Sequence, residues 1–199
     1  IRLLDFGCTL DTGEEFLALE WLQGEDFVSA SKRASRRDFY GMLAQVCRAL
    51  HYLHRRDLVH GDLKPDNIIV IPNSTPTPDA PVVKLLDFGY TASIGSELAA
   101  GVQGSPLYMA PEVIQGGPPT FSSDLYSFGV ILYECLSGRT PFVGEEVGSI
   151  LRQHIQQLPP PISGEILREL HSLIQQLMSK DPARRPSSGE VLHQINAVS

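Results

Sequence analysis

One run in the sequence crowds charged and polar side chains together: His60-Gly61-Asp62-Leu63-Lys64-Pro65-Asp66-Asn67. Asp87-Phe88-Gly89 follows, then Gly104-Ser105-Pro106-Leu107-Tyr108-Met109-Ala110-Pro111-Glu112, then Asp124, then Asp181-Pro182-Ala183-Arg184-Arg185-Pro186. Carboxylates, an ammonium and a carboxamide are groups that orient protons, neutralise charge and offer oxygen donors. A lone aspartate in a loop is usually a helix cap or a solvated turn. No single tripeptide here carries weight; five segments in a fixed order do.

Such a run needs rigid flanks. Before it, Phe39, Met42, Leu43, Val46, Leu50 and Leu53 recur at three- and four-residue steps, which predicts an amphipathic helix from Arg36 to about Arg55. After it, Ile68-Ile69-Val70-Ile71 reads as a strand, residues 72–81 with four prolines as a loop, and Val82 to Leu86 as another strand. Upstream, Ile1 to Leu4 and Glu15 to Leu22 predict a hairpin across turn residues 8–14. A lone hairpin is marginal in water and needs a partner. Residues 24–35 read as a linker or short helix.

Residues 88–120 hold no sustained period, and a loop that long in a compact domain is usually functional or disordered. Helices are predicted over Ser122 to Ser137, Glu145 to Gln157 and Glu165 to Met178. A last one runs from a Ser187–Glu190 capping box into Ala197. The pattern is α+β: a small β piece ahead of a mostly helical body.

The 199 residues suit one domain, and 42% hydrophobic composition can fill its core. A net charge of −7 argues against nucleic acid as the main partner, because phosphate binding needs a basic surface. Cys8, Cys47 and Cys135 lie far apart, form no CxxC pair and give no zinc signature, which fits a reducing interior. The longest apolar candidate, Leu125 to Tyr133, is half of what a membrane span needs, and no signal peptide is visible.

Together the five segments resemble the C-terminal lobe of a eukaryotic-type Ser/Thr protein kinase, over nearly all of residues 1–199. The wording of the motifs is similar to that of bacterial members. The resemblance implies a protein-kinase-like fold with a truncated N-terminal lobe. Residues 1–22 would be the last two strands and hinge of that lobe. Residues 23–199 would be the C-terminal lobe, with the catalytic loop at 60–67 and the activation segment at 87–112. It implies transfer of the γ-phosphoryl group of ATP to Ser or Thr hydroxyls of protein substrates. The alternative is a pseudokinase or scaffold that holds a protein partner without catalysis.

Phosphoryl transfer asks a protein for positioning and charge neutralisation rather than covalent chemistry. By the resemblance, Asp62 orients the attacking hydroxyl or accepts its proton, and Lys64 reaches the γ-phosphate. Asn67 and Asp87 hold Mg²⁺. His60 and Phe88, beside Gly89, stack the two loops onto the body, and Ile69 forms the floor under the adenine. Glu20-Trp21-Leu22 would be the hinge, with Leu19 as gatekeeper. Asp26, or else Glu25, would meet the ribose, unless both are solvated loop carboxylates. Glu112 and Arg185 would form a buried ion pair. Asp124 would hold the catalytic loop through backbone N–H groups, and the Ser105 hydroxyl would support Asp62 and Lys64. ATP use without an export signal implies a cytoplasmic setting.

The sequence departs from the family pattern in four places. Leu3-Leu4-Asp5-Phe6-Gly7 repeats Leu85-Leu86-Asp87-Phe88-Gly89 letter for letter, but only the second copy follows an HxDxxxxN stretch; Asp5 reads as a strand-end residue. Gly61 stands where many members have the arginine that clamps a phosphorylated activation loop, so Thr91, Ser93 or Ser96 is expected to be phosphorylated without activity depending on it. The proline-rich loop at 72–81 lengthens the Asp62–Asp87 separation, a change that chain entropy tolerates. No GxGxxG occurs, and none of Lys32, Lys64, Lys84 and Lys180 precedes the hinge. With Ile1 as the first residue, this predicts a truncated product or partial sequence.

Overall fold

The computed structural model describes residues 1–72, 81–86, 92–93, 105–162 and 168–198. Strands β1 (Leu3–Cys8) and β2 (Glu15–Leu19) form an antiparallel hairpin. β1 runs through the first Asp-Phe-Gly copy, so Asp5 lies inside the strand rather than at its end. There its Oδ1 accepts the N–H of Phe6 at 2.9 Å, where the register slips between Leu3 and Asp5. A two-residue strand, β3 (Glu25–Asp26), leads directly into helix α1 (Phe27–Ser31). α1 is the short helix that the sequence allows over residues 24–35, and β3 is a strand it does not predict.

Helix α2 (Arg36–His54) spans what its period predicts. Ser35 caps its first turn by accepting the N–H of Asp38 at 3.1 Å. Its apolar stripe is buried, with Met42, Leu43, Val46 and Leu50 at 0–1% exposure. The chain then passes through strand β4 (Leu58–Val59) to the 60–67 run, whose end forms a 3₁₀ turn (Pro65–Asn67). Strands β5 (Ile68–Ile71) and β6 (Val82–Leu85) pair antiparallel, and β3 adds to the other edge of β5. β4 pairs with β7 (Ala92–Ser93). The run that carries the chemistry therefore has a strand on each side, and both are paired.

Helix α3 (Pro111–Ile114) is a single turn with proline at its start. Helix α4 (Phe121–Ser137) begins at a Thr120–Ser123 capping box and ends at Gly138, whose φ of 77° suits a residue without a Cβ. Unlike α2, it is buried almost all round, from Ser123 to Tyr133. It packs against α6 (Arg168–Leu177) and α1, and its Tyr126 meets His154 of α5 (Val147–Gln156), while α7 (Ser188–Val198) packs on α2. Gly129 lets α6 approach closely, since a Cβ there would stand 2.7 Å from that of Leu177. The capping box of α7 forms as predicted: Ser187 Oγ accepts the N–H of Glu190, and the Glu190 carboxylate accepts the N–H of Ser187 at 2.7 Å. No helix among the described residues is long and apolar enough to cross a membrane.

Candidate active site

α4 and the end of α2 build a socket for the 60–67 run. Asp124, in the first turn of α4, is 1% exposed. Its Oδ2 accepts the backbone N–H of His60 at 2.9 Å and its Oδ1 that of Gly61 at 3.0 Å. The third contact comes from His54, whose Nε2 lies 3.0 Å from Oδ2 and so carries the proton. His54 in turn stacks on Phe121 at 4.6 Å between ring centroids. A buried carboxylate needs such donors, and these three fix the backbone just before Asp62.

His60 is itself fully buried. Its Nε2 lies 3.0 Å from the carbonyl oxygen of Leu86, the last described residue before Asp87. That contact ties the start of the run to the end of β6. Gly61 adopts φ of 82°, a left-handed conformation that glycine takes without cost and a side chain resists. Glycine therefore has a local conformational reason at this position, separate from any phosphate clamp.

Asp62 is 7% exposed, with both carboxylate oxygens held. Oδ1 accepts the backbone N–H of Ser105 at 3.0 Å, and Oδ2 lies 3.0 Å from Lys64 Nζ. Support from Ser105 thus arrives through its backbone and not, as expected, through its hydroxyl. Asn67 is 6% exposed and donates from Nδ2 to the carbonyl oxygen of Asp62 at 2.8 Å. With the amide nitrogen used inward, the remaining polar atom of Asn67 is a hard carbonyl oxygen, a donor type Mg²⁺ accepts. Asp62, Lys64 and Asn67 therefore meet at one place. Asp87, Phe88 and Gly89 lie outside the described residues, as do Thr91, Ser96 and the side chain of Ser93. Among the described residues no three His, Cys, Asp or Glu side chains are grouped to hold a metal ion.

The residues expected to face a nucleotide lie on two separate sheets and the link between them. Ile69 sits in β5 opposite Asp26 on one side and Lys84 on the other. Leu19 ends β2, paired with Leu3, and Leu22 lies half-buried in the link to β3. The carboxylate of Asp26 caps α1, accepting the N–H of Ser29 at 2.9 Å, while Glu25 pairs with Arg33. Glu20 has a partner the sequence reading missed. Its carboxylate binds Lys84 of β6 and accepts the N–H of Arg2 at 3.0 Å, and the lysine holds its pKa below the usual carboxylate range. No local signal could have found a pair separated by 64 residues.

Arg185 and Glu112 lock the far side. The guanidinium meets both carboxylate oxygens, at 2.6 and 2.8 Å, and also donates to the carbonyls of Ser179 and Ser122. It lies over the Tyr126 ring at 4.9 Å. This pair joins α3, next to the 104–110 segment, to the turn before α7.

The family model described as "protein kinase domain" matches residues 1–195. The chain belongs to the protein kinase family. The chain is 35% identical over 177 residues to the serine/threonine-protein kinase RUNKEL of Arabidopsis thaliana, covering 85% of this chain and 12% of that protein. To the serine/threonine-protein kinase PknA of Mycobacterium tuberculosis it is 34% identical over 194 residues, 93% of this chain and 43% of the relative. Pkn3 of Myxococcus xanthus is 35% identical over 205 residues, 96% and 37%. The chain thus spans between 12% and 43% of the length of these curated relatives, bacterial members among them.

Proposed function

We propose that the protein to which these residues contribute a kinase domain transfers the γ-phosphoryl group of ATP to Ser or Thr hydroxyls of other proteins. The observation that carries this reading is the meeting of Asp62, Lys64 and Asn67 on a loop immobilised by Asp124. When bound, Mg²⁺-ATP would supply the phosphoryl group and a cation to offset the charge on it. The chain's own residues do the rest. Asp62, oriented by the Ser105 N–H and the Lys64 ammonium, presents a carboxylate oxygen to the proton of the incoming alcohol. Lys64, a quarter exposed beside it, offers a cation for charge that develops on the transferred group. Asn67, and Asp87 from the segment after β6, would hold Mg²⁺ with hard oxygens. Leu19, Leu22, Ile69 and Asp26 would frame the adenine and ribose.

The names of the relatives support serine and threonine as acceptors. A scaffold without catalysis would have no use for a buried Asp62 whose two oxygens are held by separate donors. The test uses the protein expressed from its full reading frame, with radiolabelled ATP, Mg²⁺ and a general Ser/Thr substrate such as casein. Asp62→Asn is expected to lower turnover about a thousandfold while ATP still binds, given that positioned proton acceptors and charge terms contribute on that order. Asp87→Asn is expected to lose Mg²⁺-dependent nucleotide binding as well. Turnover equal to the unmodified protein in both variants would overturn the assignment.

A further inference from the structure

The C-terminal end of α2 carries a group of guanidinium side chains that phosphoryl transfer does not use. Between Asp38 and Asp57 the chain holds Arg48 in the helix, Arg55 at its C-cap and Arg56 in the turn that follows, and no acidic residue. All three arginines are exposed, and so is Tyr52, at 57%. Spacings of four and seven residues put Arg48, Tyr52 and Arg55 on one side of the helix over two turns, a length of about 10 Å. The Arg56 guanidinium lies over the Tyr52 ring, 3.5 Å from its centroid. Neither Arg48 nor Arg55 has a carboxylate partner among the described residues.

Beside Arg55 a groove of about 480 Å³ opens between α2, the start of α4 and α7, with His51, Phe121 and Ser187 in its walls. Its one carboxylate among the described lining residues, Glu190, is already engaged by the N–H and hydroxyl of Ser187. Asp57 follows the patch where the chain leaves the helix. The helix dipole favours cations in the last turn and so accounts for Arg55 and Arg56. It does not account for Arg48 two turns earlier, or for the exposed ring beneath Arg56.

We propose that this patch docks an acidic segment of a partner protein. Its carboxylates would meet the guanidiniums of Arg48, Arg55 and Arg56, and its chain would continue into the groove. Planar guanidinium forks match carboxylates through paired hydrogen bonds, and on a rigid helix their spacing is set in advance. The dimensions favour a short acidic segment over a longer polyanion. Outside residues 32–56 the chain holds nine Lys and Arg against twenty-two Asp and Glu, a field that repels a nucleic-acid backbone or an anionic bilayer reaching past the patch. Tyr52 is the one large apolar side chain exposed on α2, too little to enter a membrane.

The full-length protein would be titrated into a fluorescein-labelled oligoglutamate peptide and followed by anisotropy. Parallel arms use an oligoglutamine peptide, single-stranded oligothymidine and phosphatidylserine vesicles. Oligoglutamate should bind in preference to all three, and more weakly as salt rises. The triple variant R48E/R55E/R56E should lose about tenfold or more in affinity with an unchanged thermal melt. R48Q and R55Q, which keep the helix propensity close to that of arginine, should each lose part of it. Equal binding of oligoglutamine, stronger binding of oligothymidine or vesicles, or undiminished affinity in the glutamine variants would overturn the proposal. The readout needs no phosphoryl transfer, so it stands or falls apart from the catalytic assignment.

Discussion

At the residue scale, the molecule spends its few buried charges where the backbone must not move. Asp124 holds the N–H groups of His60 and Gly61, and Arg185 joins two elements through Glu112. The two members of the latter pair are not equivalent. The Arg185 side chain is wholly buried, while that of Glu112 is 20% exposed. Removing the carboxylate strands a guanidinium that water cannot reach, and breaking a buried pair in this way costs about 3–5 kcal/mol. Glu112→Ala is therefore expected to lower the free energy of unfolding by that amount in urea titrations. A loss below about 1 kcal/mol would mean that the carbonyls of Ser179 and Ser122 alone satisfy Arg185.

At the element scale, α5 is fastened to α4 through a histidine that stays neutral. His154 is fully buried, with Nδ1 2.9 Å from the Tyr126 hydroxyl and its ring 4.8 Å from that of Phe142. Burial first, then the nearby Lys180 ammonium, pulls its pKa down to about 4. The unfolded chain protonates His154 near pH 6.5, so between pH 6.5 and about 4 the unfolded state binds more protons than the native one. Stability contributed by neutral His154 is thus complete above pH 6.5 and drains away as pH falls to about 4, by up to about 3 kcal/mol. Denaturant titrations across this range should show a shallower acid slope for His154→Gln than for the unmodified chain. Parallel profiles would remove His154 from the account. The elements that the sequence made legible are those with their own local signals: the 3.6-residue stripe of α2, the Ser187–Glu190 cap of α7, and the apolar run of β5. β3, β4, β7 and α3 have two to four residues each, too few for any period; the three strands exist because a strand distant in sequence pairs with them, and α3 is one turn closed by its own local bonds. Asp62, Lys64 and Asn67 were readable because they stand in one of five segments whose fixed order resembles a known family. The Ser105 N–H on Asp62 and the Lys84 contact to Glu20 were not, because a backbone donor and a long-range ion pair leave no trace in composition.

At the scale of the whole molecule, stability is unevenly spread. The helical body buries its apolar side chains in one continuous core around α4. The hairpin does not: Leu4, Phe6 and Leu17 are 56–71% exposed, and each forgoes most of the roughly 1.5–3 kcal/mol that full burial of such a side chain contributes. Ladder hydrogen bonds hold it together, and Glu20, through Lys84, ties it to β6. Its local opening free energy must therefore lie far below that of α4, whose amides open only with the core. In hydrogen exchange of the 199-residue chain, β1 and β2 amides are expected to be at least about a hundredfold less protected than those of α4. Lys84→Ala should lower the hairpin's protection further and leave α4 unchanged, because Lys84 reaches the hairpin and not the core. Protection in the hairpin equal to that in α4 would show that β1 and β2 open only together with the helical body. The Glu20–Lys84 tie, rather than apolar packing, would then be the link that carries cooperativity between the hairpin and the helical body.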